Sequence, residues 1–328
     1  MRKHIFTALK FTILALILAW IIRSINPEDL ETLRNQKKDW GLLVASFLVV
    51  LLANLVSFLR WYFFVHALQV PFTIVEAIRL GFLGNLFNAV FFGAVGGDLF
   101  RAIAAAKQAG TKRPEVIASV LVDRAVGLLG LVLVAAVSLQ LYNGSLPANM
   151  DWIRRGAWFA SCVGLGGLVL ITFAGHHLPI ALLKRIPGIG DSLYRMARAG
   201  MIFEGRPMLV ILLTGMSCFV HSLLTLGMFL TSIAIYDKTP TLAEHFLAVP
   251  TAFAVAALPL SPGGIGVQEM AVGELFKLLP NLPANFNGFI VAAMYRLELV
   301  VVTLIGGIYY AMGASEINRL KKETENWE

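Results

Sequence analysis

The chain alternates long apolar runs with short polar ones, and the runs are of two kinds. Residues 5–22, 41–64, 115–141, 156–175, 208–236 and 289–313 are long enough to cross a membrane as helices, which takes about 20 predominantly apolar residues. The pattern predicts six full spans there. Residues 72–100 and 246–279 are also apolar, but interrupted. The first carries Glu76, Arg79, Asn85 and Asn88, with Gly81 and Gly84 as weak points, and ends in Gly93-Ala94-Val95-Gly96-Gly97-Asp98. The second is broken by Pro259-Leu260-Ser261-Pro262-Gly263-Gly264-Ile265-Gly266, with Gln268 and Glu269 following at once. Proline removes a backbone donor and glycine weakens a helix by about 1 kcal/mol against alanine. In hydrocarbon the freed backbone groups must be buried in protein or line a wet cavity. Both stretches are therefore read as re-entrant hairpins of broken helix.

The expected fold is an all-α polytopic membrane protein, one domain over residues 1–328. Residues 1–141 and 156–313 each read as span, span, broken hairpin, span, with a polar tail at 314–328. Three crossings per half make the second copy inverted, an arrangement shared by many transporters. The basic stretches 101–113 and 176–206 and the tail fall on one side with the N-terminus, while the poorer loops 142–155 and 237–244 fall on the other. By the positive-inside rule both termini are cytoplasmic.

Composition narrows the class. The 328 residues are 58% hydrophobic and 14% charged, with mean hydropathy +0.75, where soluble domains carry about 25% charged residues. The net charge of +7 lies mostly in loops, which fits orientation and contact with anionic headgroups rather than nucleic acid. Cys162 and Cys218 sit in apolar segments and read as small buried hydrophobes, not a disulfide or metal pair. Met1-Arg2-Lys3-His4 before an apolar run resembles a signal peptide, but no small-x-small cleavage site follows, so the run is kept as a first span.

Charges inside the apolar segments are the informative exceptions, each costing about 2.5–3.5 kcal/mol at a helix centre. Asp123 and Arg124 point about 100° apart on a helix and cannot pair with each other. Arg60-Trp61-Tyr62 reads as an interfacial anchor with a snorkelling arginine. His221 reads as a packing residue. Residues 191–203 set Leu193, Met196, Ala197 and Gly200 on one face, as in a basic interfacial helix.

Gly96-Gly97-Asp98 with Arg101, Arg60-Trp61, and Ser261-Pro262-Gly263-Gly264-Ile265-Gly266-Val267-Gln268-Glu269 resemble the membrane region of lysyl-phosphatidylglycerol synthases. That region also occurs alone in bacterial and archaeal inner-membrane proteins, so the resemblance implies a cytoplasmic (inner) membrane location. In the synthases it is similar to a lipid flippase, while aminoacyl transfer belongs to a soluble C-terminal domain. This chain ends at Glu328, soon after the last span, so no enzyme activity is expected of it.

A flippase for an anionic or headgroup-modified phospholipid needs cations for phosphate in a polar passage. Arginine suits phosphate through its planar fork. Helix N-termini beside glycine breaks offer N–H groups to the same anion. The candidates are Arg60, Arg101, Arg124 and Arg296 as headgroup-facing cations, with backbone from Gly96, Gly97, Ser261, Gly263 and Gly264. Asp98, Asp123, Glu269 and Glu298 would be counter-ions, gates or proton carriers. The plainer alternative is that these charges pair with each other and lock the bundle. No Asp-rich pair, His-Glu-x-x-His or P-loop Lys-Ser/Thr appears, so no metal or cofactor is expected and transport would be passive or ion-coupled. The rival class is a non-transporting accessory subunit partnering a lipid- or glycan-modifying enzyme.

Overall fold

The computed structural model of the chain describes residues 38–90, 96–107, 109–142, 150–188, 190, 194, 197, 198, 200–257, 264 and 266–313. The expected span at 5–22, residues 93–95, 259–263 and 265 of the two breaks, residues 191–193, 195, 196 and 199 of the expected 191–203 helix, and the tail lie outside these residues.

Local chemistry sets the helix starts. Asp39 caps α1 (Trp40–Ala67), its Oδ1 accepting from the Leu42 N–H at 3.1 Å. Pro114 stands in the first turn of α4 (Arg113–Leu141) and Pro207 in that of α6 (Pro207–Ile235), where the missing N–H would have had no partner. Asn287 accepts from the Phe289 and Ile290 N–H groups to cap α9 (Gly288–Met312). With α5 (Asp151–Ala174), these are the five described helices long and apolar enough to cross a membrane.

Between them lie two pairs of shorter helices. The first is α2 (Ile74–Val90) and α3 (Gly96–Ala106). The second is α7 (Leu242–Ala256), started by a Thr241/Glu244 capping box, and α8 (Val267–Lys277). At 1.5 Å per residue the 11-residue α3 and α8 reach about 16 Å, roughly half of a hydrocarbon core of about 30 Å.

The bundle is organised around α1 and α6, which run antiparallel. Ser46 meets Thr231, Val50 lies against Gly227, and Arg60 donates to Ser217, so the α6 number falls as the α1 number rises. Each hairpin leaves and returns at one end of this pair. In the first, α2 climbs beside α1, with Asn85 Nδ2 donating to Asn54 Oδ1 at 2.9 Å and Phe58 edge-on to Phe82. The helix α3 then descends, with the Phe100 ring tilted against that of Phe87. It returns to the end of α1, where Lys112 Nζ donates to the Leu68 carbonyl at 2.8 Å. In the second, Phe286, beyond α8, comes back against Tyr236 at the end of α6 and against His245. That is the other end of the pair, because the Asp39 N–H donates to the Ala234 carbonyl at 2.9 Å. The hairpins thus enter from opposite ends. Asn54, near the tip of the first, lies midway along α1.

The packing partners correspond. Helix α2 packs on α1 and α9, and α7 packs on α6 and α4; α3 packs on α4, and α8 on α9. Two cores result. One centres on Met228, Leu247, Phe276 and Tyr295, the other on Trp61, Phe64, Phe203 and Leu213. Helix α5 turns Phe159, Val163, Leu170 and Phe173 outward, a face suited to lipid.

Three expectations change. Trp61 is fully buried, its Nε1 donating to Ser119, and Arg60 is buried beside it. The Arg60-Trp61 pair is core, not an interfacial anchor, because Asp123 waits for the arginine inside. Helix α3 runs on to Ala106, past the expected end of the first hairpin at residue 100, so Arg101 lies inside it and not in the basic stretch that follows the hairpin. Cys162 is exposed on the outward face of α5, where a thiol packs as well against lipid as against protein.

Candidate functional site

The first cluster forms where α3 begins. Gly97 lets the helix start against α2: a Cβ there would collide with the Gly84 carbonyl. The Gly97 N–H, which a helix start leaves without an intrahelical partner, donates to Asn88 Oδ1 at 2.8 Å. This places Asp98 in the first turn, where a carboxylate is favoured by the helix dipole. Asp98 accepts from Arg101 Nη2 at 2.9 Å and, on its other oxygen, from Arg124 Nε. Arg101 reaches Asp123 at 4.0 Å and lies over the Trp61 ring. Asp123 in turn accepts from Arg60 Nε at 2.8 Å, while Arg60 Nη1 donates to Ser217. The 100° separation expected of Asp123 and Arg124 holds: the first faces α1, the second faces α3.

The second cluster forms where α8 begins. Gly266 takes φ +83°, a left-handed conformation that side chains resist, and Gly264 takes +69°. The Gly266 N–H donates to Glu269 Oε2 at 2.7 Å. The other oxygen of Glu269 accepts from Arg296 Nε at 2.6 Å. Arg296 Nη2 also donates to Gln268 Oε1 at 2.9 Å and to the Gly264 carbonyl at 3.3 Å. Ser261 and Gly263 lie outside the described residues.

The two clusters share one motif. In each, the third residue of the returning short helix is a carboxylate, held by an arginine of the following long helix. The sequence separations are nearly equal, 26 residues from Asp98 to Arg124 and 27 from Glu269 to Arg296. These arginines are also the more accessible ones: the side chain of Arg124 is 43% exposed and that of Arg296 19%, against 6% for Arg60 and 9% for Arg101. Arg60, Arg101 and Asp123 are an addition to the first cluster.

Glu298 stands apart from Arg296. Two residues further on α9 turns it toward α1 and α6, where it accepts from Ser46 and Thr231. Sequence reasoning marked Gln268 and Asn88 as polar interruptions without assigning them to the site, and missed Ser46, Thr231 and Ser217. Single hydroxyls in apolar helices are common, and nothing in their spacing marks them. His221 packs as expected, its Nε2 3.0 Å from the Gly127 carbonyl.

Two open grooves lie near the second hairpin. One, of about 460 Å³, is bounded by α4, α5, α7 and α8 and reaches Trp152, Thr251 and Glu274. The other, of about 640 Å³, runs between α4, α6 and α7 past Ser138, Tyr142 and Ser222. Their walls are predominantly apolar, and the arginines of the two clusters do not line them.

These features define a multi-pass helical membrane protein with charged clusters at two opposed helix breaks. The sequence model of one family, the Lysylphosphatidylglycerol synthase TM region, matches residues 7–307, and the chain belongs to that family. It is thereby a membrane protein linked to lipid handling. No curated protein and no solved structure matches it.

Proposed function

We propose that the protein moves an anionic or headgroup-modified phospholipid between the leaflets of a bacterial or archaeal cytoplasmic membrane, as a transporter rather than an enzyme. The observation that carries this reading is the repeated carboxylate–arginine pair, Asp98–Arg124 and Glu269–Arg296, at the starts of helices returning from opposed hairpins. Two such pairs give a headgroup one station on each side of the midplane. The acyl chains meanwhile stay in apolar surroundings such as the two grooves. The antiparallel α1–α6 pair and the matched packing partners support an inverted repeat, with the N-terminus and the tail in the cytoplasm.

At each station a phosphate would compete with the carboxylate for the arginine. The guanidinium offers several donors in a fork, and charge-assisted bonds to phosphate are about twice as strong as neutral ones. Further donors lie at hand: Arg101 Nε and Gln268 Nε2 are buried without a hydrogen-bond partner among the described residues. The carboxylate would hold the cation until a headgroup arrives.

The test is translocation of a fluorescent anionic phospholipid by the purified protein in liposomes. Glu269→Gln and Arg296→Lys should strongly reduce it while expression and thermal stability are kept, since neither strands a buried charge. Undiminished translocation in both variants removes the second pair from the mechanism. Failure of the wild type to move lipid, with a stoichiometric enzyme co-purifying, would instead favour the accessory-subunit role.

A further inference from the structure

Glu298 is a carboxylate of the long helix α9 that neither station uses and that pairs with hydroxyls instead of an arginine. Its hydrogen-bond partners are hydroxyl oxygens. Ser46 Oγ lies 2.7 Å from Glu298 Oε2, 2.8 Å from the Gly227 carbonyl and 2.9 Å from Thr231 Oγ1. Thr231 Oγ1 lies 2.9 Å from Glu298 Oε1 and 3.2 Å from the same carbonyl. Five oxygens thus make five close contacts, yet the two hydroxyls supply two protons.

With an ionised carboxylate, three of the five contacts have no hydrogen between them. One more proton changes the arrangement. Glu298 can then donate to Ser46, Ser46 to the Gly227 carbonyl, and Thr231 to the free oxygen of Glu298. That covers the 2.7 Å and 2.8 Å contacts and one of those at 2.9 Å. Separations this short are hydrogen-bond distances and leave little space for a metal ion among the five oxygens.

Charge compensation points the same way. The helices against α9 carry Arg60 and His66 on α1, Glu76 and Arg79 on α2, His221 on α6, and Glu269, Glu274 and Lys277 on α8. Among the described residues, none of these groups bonds Glu298. On α9 itself Tyr295 is buried next to it, and Arg296 is engaged with Glu269. Ser46 lies about 11 Å along α1 from its midpoint at 1.5 Å per residue, inside a hydrocarbon half-thickness of about 15 Å. A lone negative charge at that depth is strongly disfavoured.

We propose that Glu298 holds a proton in this conformation, and that it releases that proton when α9 separates from the α1–α6 pair. The carboxyl O–H bond breaks, the proton passes to water admitted by the opening, and the carboxylate is left on Glu298. The second half rests on the transport reading and gives it an energy source, a proton gradient. The first half stands without it.

Infrared difference spectroscopy of the full chain in lipid nanodiscs tests the proton site. At neutral pH the wild type should show a protonated-carboxyl C=O band that Glu298→Gln loses, Glu298→Asp shifts, and Glu269→Gln keeps. A Glu298→Gln spectrum identical to that of the wild type would overturn the proposal. So would a sodium-dependent rise in thermal stability abolished by Glu298→Gln, since a metal ion would then occupy the oxygens. In liposomes an imposed pH gradient should drive lipid movement by the wild type and not by Glu298→Gln. Lipid movement indifferent to the gradient would overturn the coupling. No lipid movement at all, with the infrared band intact, would sink the transport reading and leave the proton site standing.

Discussion

At the residue scale, the buried charges divide into those that lock and those that can be exchanged. Arg60 and Asp123 are both almost fully enclosed and face each other across α1 and α4. Removing one partner of such a pair leaves an uncompensated buried charge, a loss of about 3–5 kcal/mol. Asp123→Ala should therefore lower the thermal stability of the detergent-purified protein sharply. The double variant Arg60→Met, Asp123→Leu should recover most of it, because both charges then leave the core together. Arg296 differs, being partly accessible and bonded through both Nε and Nη2. Arg296→Lys should keep the fold but reduce lipid translocation, since an ammonium cannot reproduce the fork. Liposome assays beside melting curves would separate the two outcomes.

Elements explain why glycine recurs here for different reasons. Gly97 stands where α3 touches α2, and any side chain would meet the Gly84 carbonyl and Asn88. Gly97→Val should destabilise the hairpin by about 1–3 kcal/mol, the usual range for overpacking, and should displace Asp98 from Arg124. Gly167 on α5 has open space around the missing Cβ. Gly167→Ala should be neutral or stabilising by up to about 1 kcal/mol, because it raises helix propensity without a clash. Thermal unfolding of the two variants side by side checks the contrast. The sequence pattern shows two Gly-Gly breaks but cannot tell a glycine needed for close approach from one merely tolerated. That difference lies in what stands opposite.

For the whole molecule, the opposed hairpins fix a topology that labelling can read. Gly110 lies by the first hairpin's exit, near Leu68, and Lys238 lies by the second hairpin's entry, near Tyr236. In a chain with Cys162 and Cys218 replaced, Gly110→Cys and Lys238→Cys should react with an impermeant thiol reagent from opposite faces of the membrane. Reaction from the same face would contradict the fold. The long helices, their order and the two interruptions were legible in the sequence, because the length of an apolar run and the positions of proline and glycine are local facts. The charged residues of the clusters were legible as exceptions in apolar surroundings, since each is too expensive there to stand alone.

Their partners were not. Helical geometry excludes Asp123 with Arg124, yet it cannot say that Asp123 turns to Arg60 while Arg124 turns to Asp98. Arg296 and Glu298 were both candidates two residues apart, but the rotation between them sends their side chains to different helices. By itself the sequence determined that this is a helical membrane protein with two broken segments and a set of intramembrane charges, because hydrophobic length and helix breaking act within a single segment. Only the tertiary structure decided which charges lock the bundle, which pair is repeated, and which carboxyl lies among hydroxyls. Those outcomes depend on distances between segments far apart in the chain, which no local pattern records.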